Sequence, residues 1–393
     1  MTARQSLNLR KPTQLIANYL ITTPMFLGGW DQQVSQEHFR NSSLKGALRF
    51  WWRALHYGKA YRDAQPPSHV AALAILHKRE GEIFGCVSGD SSQSKVKLQS
   101  TFNGKFISAN DKSTKPIYFL GQGLYNFKTG LTRNAIAADA TVELTVTLDN
   151  LTATQVAEVK NSLIALGLLG GLGSRSRRGF GSLAIQTLTS ESDETVFDDL
   201  DQIRKFIRDL DYSAPADSPL STLNQATRID LINGKCVKEL HNLINDEMQS
   251  YRTNKKKNDQ TADTVFKSDC ELMKAVINGE KIGTAPRRII FGLPHNYFIP
   301  STGKADVDSS SGRRASPLIL HLHQLKNTVS AFALHTYLGG QFLPKDIRVE
   351  VTSKDPKRAS SPVSFKIDPV IIFDFMDRFN TNSNFGHEVL RHG

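Results

Sequence analysis

The sequence has few cysteines and no long apolar run. Its three cysteines in 393 residues, Cys86, Cys236 and Cys270, are far apart and form no CxxC pair. This spacing argues against a zinc site or a disulfide framework. Residues 1–13 lack the apolar core of a signal peptide, and no apolar run has the length that spans a bilayer. We therefore expect a cytoplasmic protein with reduced thiols, no membrane contact, no metal and no cofactor.

Acidic residues are missing where basic residues cluster. None occurs between Glu37 and Asp63, or between Asn161 and Ser190. By contrast, residues 191–211 hold eight acids against three bases, a net charge of −5. The whole chain carries +11 with a pI near 9.5, so the remainder carries +16. A body this basic favours a polyanionic partner.

The composition is that of a globular protein with room for two domains. Hydrophobic residues make up 39% and charged residues 22%. The first 190 residues predict strand, helix, strand, strand, helix and strand, the order of a ferredoxin-like domain. The predicted elements are a strand at 15–26, a helix at 44–57 capped by Asn41, Ser42 or Ser43, the strands "PIYFL" and "TVELTVTL", a helix at 154–169, and the strand "FGSLAIQTL".

The second half predicts another α+β domain. We expect domains at 1–190 and 226–393, with an acidic linker region at 191–225. The pattern predicts a strand at "TRIDLI", a polar helix running into "YRTNKKKNDQ", and the strands "RRIIFGL" and "PLILHLHQL". "TVSAFALHTYL" fits either a helix or a strand, and no repeat of 20 to 50 residues indicates a solenoid.

The first predicted helix has a basic stripe. Lys45, Arg49 and Arg53 are spaced four apart, where like charges destabilise a helix by roughly 0.2–0.5 kcal/mol per pair. Lys45 also lies in the first turn, where the helix dipole disfavours a cation by roughly 0.3–1 kcal/mol. A phosphate at the helix start would reverse both effects. The alternative is an ordinary exposed basic face.

The stretch "GGLGSRSRRGFGSL" at 170–183 sets Arg175, Arg177 and Arg178 among five glycines. It lacks GKS or GKT, and it follows a helix and precedes a strand, so it is neither a P-loop nor a dinucleotide fingerprint. Glycines here allow backbone N–H groups to approach an oxyanion, and arginine forks to close on it. The alternative is a flexible basic hairpin.

Together the two elements resemble a known family. "NSSLKGALRFWWRAL", "EIFG", "SKVKL" and "GGLGSRSRRGFGSL" resemble the RAMP superfamily of CRISPR-associated RNA-binding proteins. "LRFWWRA" and "GRRASPLILHLH" narrow the resemblance to the first-numbered subunits of Cmr (type III-B) effector complexes. The resemblance implies an α+β chain of two ferredoxin-like (RRM-like) domains in tandem. It also implies a non-catalytic subunit of an antiviral ribonucleoprotein that holds CRISPR RNA or its target RNA beside other Cmr RAMP subunits.

The resemblance assigns RNA contacts to specific residues. They are Ser42, Ser43, Lys45, Arg49 and Arg53 of the helix, Gly171, Gly173, Arg175, Arg177, Arg178, Gly179 and Gly181 of the loop, and Arg313 and Arg314 in the second half. The second half has no equivalent glycine–arginine loop, since Gly339-Gly340 leads into "QFLP". That domain is therefore expected to serve mainly in docking neighbouring subunits.

Other candidates compete with this assignment. A metal-independent endoribonuclease that processes CRISPR transcripts is the alternative function, with His56 as its acid–base group. A basic scaffold of another ribonucleoprotein is a third. His321 and His323 share a strand face but lack a third metal ligand. Arg287 and Arg288 fit ligands or edge-protecting charges, and the run 255–257 of three lysines fits a solvated face.

Overall fold

A five-stranded antiparallel sheet in the first half of the chain and two four-stranded antiparallel sheets in the second half form the framework of the protein. The computed structural model describes residues 11–29, 39–87, 92–191, 193–253, 265–300, 302–344, 346–353, 361–380 and 385–393. The lysine run at 255–257 lies outside them. No helix in these ranges is both long and apolar enough to cross a membrane.

The first half folds around a five-stranded antiparallel sheet. Its elements are β1 (Thr13–Ile21), α1 (Asn41–Asp63), α2 (His69–Phe84), β2 (Val96–Asn103), β3 (Phe106–Ile107), β4 (Tyr125–Asn126), β5 (Gly130–Leu131), β6 (Ala135–Ile136), β7 (Ala140–Leu148), α3 (Ala153–Leu169), β8 (Leu183–Ser190), β9 (Asp193–Val196) and α4 (Leu200–Arg208). The strand order is β2-β7-β1-β8-β9. In β7, Val142, Leu144 and Val146 alternate into the core, as the sequence pattern predicts.

The second half contains two four-stranded sheets. Its elements are β10 (Arg228–Gly234), α5 (Val237–Arg252), α6 (Lys267–Asn278), a 3₁₀ helix (Arg287–Phe291), β11 (Gly292–Leu293), β12 (His295–Ile299), β13 (Gly303–Ser309), β14 (Arg314–Ala315), β15 (Leu318–Gln324), β16 (Ala331–Tyr337), β17 (Val349–Ser353), β18 (Ser361–Val363), α7 (Val370–Asp377) and β19 (His387–Arg391). The sheets have the orders β15-β16-β10-β19 and β12-β13-β17-β18. The predicted strand "TRIDLI" and the polar helix are confirmed, and "TVSAFALHTYL" is a strand.

The start of α1 differs from the expectation. The helix begins at Asn41 with Arg40 as N-cap and no capping side chain, so Asn41, Ser42 and Ser43 do not cap it. The amide oxygen of Asn41 instead accepts a hydrogen bond from the Ser100 hydroxyl at 2.6 Å. A cross-link to β2 therefore replaces the predicted cap.

Two predicted strands are wrong for an identifiable reason. "PIYFL" forms turns, because the N–H groups of Phe119 and Leu120 donate to the Asn245 side chain. The side chains of Phe119 and Leu120 are buried in one hydrophobic cluster with Ile244 and Met248 of α5. The second main strand of the sheet in chain order is β2, Val96–Asn103, where no strand was predicted. "RRIIFGL" forms the 3₁₀ helix over its first five residues and the short strand β11 over its last two. The N–H groups of Arg287 and Arg288 in the 3₁₀ helix donate to the Asp269 carboxylate.

The acidic stretch 191–225 packs against both halves. In it, β9 extends the first sheet by pairing with β8, and α4 buries Ile203 and Ile207. Arg204 of α4 forms an ion pair with Glu388 of β19 at 2.7 Å. The stretch therefore contains ordered elements, and the domain limits stay a prediction.

The glycine–arginine loop, residues 170–183, lies at the seam between the halves. Strand β15 runs against it: the Leu320 N–H donates to the Arg177 carbonyl at 3.1 Å. The Leu322 N–H donates to the Ser182 hydroxyl at 3.2 Å, and the Thr22 hydroxyl donates to the Leu322 carbonyl at 2.7 Å. The seam therefore positions the loop against the second half.

Candidate nucleic-acid interface

The glycine–arginine loop is well hydrogen-bonded, which argues against the alternative of a flexible basic hairpin. The Leu172 N–H donates to the Gly181 carbonyl at 2.9 Å. The N–H groups of Ser174 and Gly181 donate to carbonyls that follow β1, those of Phe26 and Pro24, at 3.0 Å each. These bonds fix the direction in which the loop arginines leave the backbone.

Backbone conformation and close packing explain why glycine occupies four positions of the loop. Gly173, Gly179 and Gly181 have φ of +87°, +81° and +61°, which disfavour any side chain. A Cβ on Gly171 would lie 2.8 Å from the Gly181 carbonyl oxygen. Conformation and close packing thus account for the four glycines, and their contact with RNA stays a prediction.

Backbone carbonyls hold two of the loop arginines. Arg175, itself in the left-handed region at φ +65°, donates through Nε to the Gln122 carbonyl at 3.0 Å. Arg177 donates through Nη1 to the Ser316 carbonyl, and its guanidinium lies 5.3 Å from the ring centroid of Phe50 in α1. Because neither partner is an acid, both side chains are positioned while their positive charge is not neutralised.

A cavity of about 1020 Å³ opens beside the loop at the seam. We call it the arginine cavity. Its basic lining residues come from both halves of the chain: Arg175, Arg177, Arg178, Arg252, Lys274, Arg288, Arg313 and Arg314. None of the described residues that line it is Asp or Glu. The structure therefore brings together all three loop arginines and the predicted pair Arg313 and Arg314.

The electrostatics of the cavity show crowded, desolvated cations. Burial, with the neighbouring Arg314, lowers the pKa of Arg177 to about 10. Burial, with Arg175, lowers the pKa of Arg178 to about 10. Such shifts mean that the protonated guanidinium is less stable here than in water. An anion in the cavity would remove that penalty.

Two arginines of the cavity floor were not predicted as site residues. Arg252, at the end of α5, is 8% exposed, and Arg288, in the 3₁₀ helix, is 9% exposed. The sequence pattern allows Arg288 to be a ligand or an edge-protecting charge. It does not single out Arg252, which lies in a polar helix with other charged residues. No local pattern marks Arg252, since only the tertiary fold brings the end of α5 beside the loop.

The basic stripe of α1 has an acidic partner that its own sequence stretch lacks. Arg49 Nε and Arg53 Nη1 each lie 2.6 Å from Oε1 of Glu80, a side chain of α2 that is almost fully buried. Lys45 Nζ donates to the Ser94 hydroxyl at 2.7 Å, a neutral partner. The predicted mutual repulsion is thus relieved within the protein for Arg49 and Arg53.

No residue of the stripe is among the described residues that line the arginine cavity. One contact between α1 and the cavity is Phe50, which lies five residues after Lys45 and whose ring centroid lies 5.3 Å from the Arg177 guanidinium. Ser42 is exposed and Ser43 half-buried at the start of α1. The first turn holds no acid.

The histidines singled out in the sequence have packing roles. His321 Nδ1 lies 2.7 Å from the Gly170 carbonyl oxygen, and its Nε2 lies 3.2 Å from His323 Nδ1, both rings being fully buried. His56 stacks on Trp52 and lies 2.7 Å from the carbonyl oxygen of that residue. Within the described parts of the chain, no group of three or more His, Cys, Asp or Glu could hold a metal ion.

Comparison with known proteins identifies the first half. Residues 19–184 match the family model of the RAMP superfamily. They form a RAMP domain. This domain contains α1, α3, the strands β2 and β7 and the glycine–arginine loop, so the family resemblance expected from the sequence is confirmed.

The fold of the whole chain is Cmr1-like. The crystal structure of Cmr1 from Pyrococcus furiosus (apo form) superposes with a TM-score of 0.55 at 18% identity, covering 96% of this chain and 99% of that one. A chain in the cryo-EM structure of the type III-B Cmr-beta bound to cognate target RNA gives 0.52 at 13% identity, covering 94% and 99%. Identities this low establish the fold alone. No curated protein matches the sequence.

Proposed function

We propose that this protein is a non-catalytic RNA-binding subunit of a cytoplasmic type III-B (Cmr) CRISPR effector complex. It would hold CRISPR RNA, its target RNA or both through the phosphate backbone and dock against other Cmr RAMP subunits. The observation that carries the proposal is the arginine cavity, where cations of the RAMP domain and of the second half meet without an acid among the described lining residues. The Cmr1-like fold supports the assignment to this complex.

We also propose that both halves are ferredoxin-like domains. If the main strands of each half are numbered along the chain, both sheets have the order 2-3-1-4: β2-β7-β1-β8 and β15-β16-β10-β19. Each set follows the strand–helix–strand–strand–helix–strand order. The limits 1–190 and 226–393, joined by the acidic stretch 191–225, are consistent with this division.

Phosphates are the RNA groups that the cavity suits best. Guanidinium groups form paired, charge-assisted hydrogen bonds with phosphate oxygens, and such contacts carry no base information. The guide strand itself would supply sequence recognition by base pairing. Binding should therefore be similar for unrelated sequences and strongly salt-dependent, with a slope of roughly −0.7 per phosphate contact on a single strand.

Arg313 gives the simplest test of this function. It lies at the cavity, it is exposed, and no hydrogen bond or ion pair holds it among the described residues. Fluorescence anisotropy with single-stranded RNA should show about tenfold weaker binding for Arg313→Ala, because one charged contact is lost. The salt slope should become less steep by roughly 0.7. An unchanged RNA affinity and an unchanged salt slope would contradict the proposal that RNA binds in this cavity.

The endoribonuclease alternative has one residue in the cavity to support it. His295 lines the wall, but burial and the guanidiniums of Arg252, Arg288 and Arg178 hold its pKa well below the usual range. A general base works best with a pKa near the working pH, so this histidine is poorly suited. Incubation of the purified protein with a repeat RNA in EDTA should leave the RNA intact. Discrete products that disappear in His295→Ala or His56→Ala would favour the nuclease.

A further inference from the structure

One cysteine lines the arginine cavity. Cys270, the fourth residue of α6, is half-buried and lines the cavity together with Lys274, one turn further along the same helix. Its Sγ accepts a hydrogen bond from Nη2 of Arg288 at 3.5 Å. The structure describes all three cysteines of the chain, and none of them is in a disulfide. A thiol thus shares this cavity with eight arginine and lysine side chains.

The acid next to Cys270 in the chain does not neutralise the cavity. Asp269 is fully buried and is not among the described residues that line the cavity. Its carboxylate accepts hydrogen bonds from the backbone N–H groups of Arg287 and Arg288 at 3.0 and 2.9 Å, and Arg288 Nε lies 3.4 Å from its Oδ2. These donors compensate its charge locally. The thiol therefore lies beside a lining whose charged groups are basic.

Arg252, a neighbour of Arg288 in the same cavity, favours a negatively charged ligand. Arg288 Nη1 donates to the Arg252 carbonyl at 2.8 Å. Nε of Arg252 is buried without a hydrogen-bond partner among the described residues, and the residue is only 8% exposed. Its guanidinium lies 4.5 Å from the Phe291 centroid, a contact that supplies no hydrogen-bond acceptor in the ring plane. Burial, together with the guanidiniums of Arg178 and Arg288, lowers the pKa of Arg252 well below its usual range. A negative group in the cavity would relieve this destabilisation of the charged form.

Thiol–disulfide exchange is the thiol reaction that these surroundings promote. The attacking group is a thiolate, and in the transition state one negative charge is shared among three sulfur atoms. A guanidinium that donates to Sγ stabilises that charge. The basic lining also raises the local concentration of an anionic disulfide and repels a cationic one. The cavity thus selects between disulfides by their charge.

We propose that Cys270 is a modification site that takes an anionic low-molecular-weight disulfide, such as glutathione disulfide, by thiol–disulfide exchange. The Cys270 thiol gives its proton to solvent, and the thiolate attacks one sulfur of the disulfide. The S–S bond of the reagent breaks as a new S–S bond joins Cys270 to one half, and the other half leaves as a thiolate that takes a proton from solvent. The oxidant is the disulfide itself. A cavity of about 1020 Å³ has room for the adduct.

The adduct would change the charge of the cavity. Glutathione has more carboxylates than ammonium groups at neutral pH, so the mixed disulfide places net negative charge beside the guanidiniums that the proposed function assigns to RNA phosphates. This consequence rests on the proposed function, whereas the modification itself does not. Modified protein should bind single-stranded RNA about tenfold more weakly, because charged contacts are lost. A reducing thiol should restore the affinity.

Cys86 is the matched internal control for the reaction. It is also half-buried, but its Sγ lies 3.8 Å from Ser92 Oγ, a neutral partner. The full-length Cys236→Ser variant removes the exposed third cysteine and leaves these two thiols. With excess glutathione disulfide, peptide mapping by mass spectrometry should show Cys270 modified about tenfold faster than Cys86. Cystamine, whose charged groups are all ammonium groups, should show no such preference, and added salt should reduce the preference that glutathione disulfide shows. Equal rates at the two cysteines with glutathione disulfide, or the same preference with both reagents, would overturn the proposal.

Arg252→Met in the same background tests the role of the basic lining. It removes one buried cation and keeps an unbranched side chain beside Phe291. Reaction of Cys270 with glutathione disulfide should slow by about threefold or more, since one attractive charge is lost. The rate at Cys86 should stay the same, which also shows that the fold is intact. Arg62→Met, which removes an exposed arginine paired with Asp211 at 2.9 Å, should change neither rate. An unchanged rate ratio in Arg252→Met would contradict selection by charge and overturn the proposal.

RNA binding separates failure of this inference from failure of the proposed function. If Cys270 is modified selectively and RNA binding falls, both proposals stand. If Cys270 is modified selectively and RNA binds with unchanged affinity, the modification site stands and the binding of RNA in this cavity is contradicted. If Cys270 shows no selectivity while the unmodified protein binds RNA in a salt-dependent way, the modification site alone falls.

Discussion

The basic stripe of α1 and the arginine cavity look alike in the sequence and differ in the folded protein. The stripe and the glycine–arginine loop, which lines the cavity, are both runs of cations with no acid nearby in the chain. In α1, Arg49 and Arg53 share the buried carboxylate of Glu80. In the cavity, Arg175 and Arg177 donate to backbone carbonyls, and Arg177 also lies over the ring of Phe50.

The difference shows how to separate structural from ligand-binding cations. A cation whose partner is a carboxylate is already compensated, and a phosphate must compete for it. A cation held by a carbonyl or an aromatic ring keeps its charge and its direction. The cavity is therefore the better candidate for RNA, and α1 contributes chiefly through Lys45.

The largest expected effect comes from removing two cavity cations. Arg175→Ala combined with Arg313→Ala should weaken single-stranded RNA binding about 100-fold at moderate salt, since two charged contacts are lost. The measurement is fluorescence anisotropy over a salt series, and the slope should fall by roughly 1.4.

A double variant of α1 removes the same charge from the other region. Arg53→Ala with Arg62→Ala leaves Arg49 on Glu80 and removes two arginines that already have acidic partners. Its affinity should fall less than threefold. Equal losses in the two double variants would show that net charge alone, and not the cavity, governs binding.

Glu80→Gln tests the other side of the comparison. Without its charge, the buried side chain cannot pair with Arg49 and Arg53, which are about one-third exposed and can turn to solvent. We expect a loss of about 2 kcal/mol in the free energy of unfolding, measured with urea. RNA affinity should not fall, because the two arginines keep their charge. A large loss of RNA binding without a loss of stability would contradict the structural role of Glu80.

Much of the fold was predictable where the pattern is local. The alternation in β7 and the capping box of α3, formed by Thr152 and Gln155, each depend on residues no more than a few positions apart in the chain. "PIYFL" and "RRIIFGL" were mispredicted because distant polar side chains, Asn245 and Asp269, take their N–H groups. Tertiary hydrogen bonds of this kind override strand propensity.

The sequence predicts which arginines belong to the candidate site, but it does not predict which groups contact them in the folded protein. The loop arginines and Arg313 stand in recognisable motifs, and the fold brings them to one cavity. Glu80 lies 27 residues beyond Arg53, in a helix that was not predicted, and Arg252 comes from the end of α5. Which cations are compensated depends on such long-range contacts, which no local pattern contains.

Lowering the pH should destabilise the glycine–arginine loop before it destabilises α1. His321 and His241, which contact the carbonyls of Gly170 and Arg178, have pKa values lowered to about 4 by burial. Because the unfolded chain binds these protons more tightly, stability falls as pH drops from about 6.5 towards 4. The slope is on the order of 1 kcal/mol per pH unit for each histidine. Hydrogen exchange at pH 5 should show earlier loss of protection in residues 170–183 than in α1.

A matched variant tests the origin of this pH dependence. His321→Gln cannot titrate, and its amide can still donate to the Gly170 carbonyl. Its unfolding free energy should therefore change less between pH 6.5 and 5 than that of wild type. An identical pH profile would assign the acid sensitivity to other groups.

The smallest expected effect separates cations within α1 itself. Lys45 donates to a hydroxyl, and burial together with Arg49 lowers its pKa, so a phosphate at the helix start would stabilise its charge. Lys45→Ala should weaken RNA binding about fourfold for all sequences, with a slope change of up to roughly 0.7. Arg53→Ala, in which Arg49 still holds Glu80, should leave the affinity unchanged. If both substitutions had the same effect, the carboxylate on Glu80 would not distinguish a compensated cation from an available one, and the comparison between α1 and the arginine cavity would lose its physical basis.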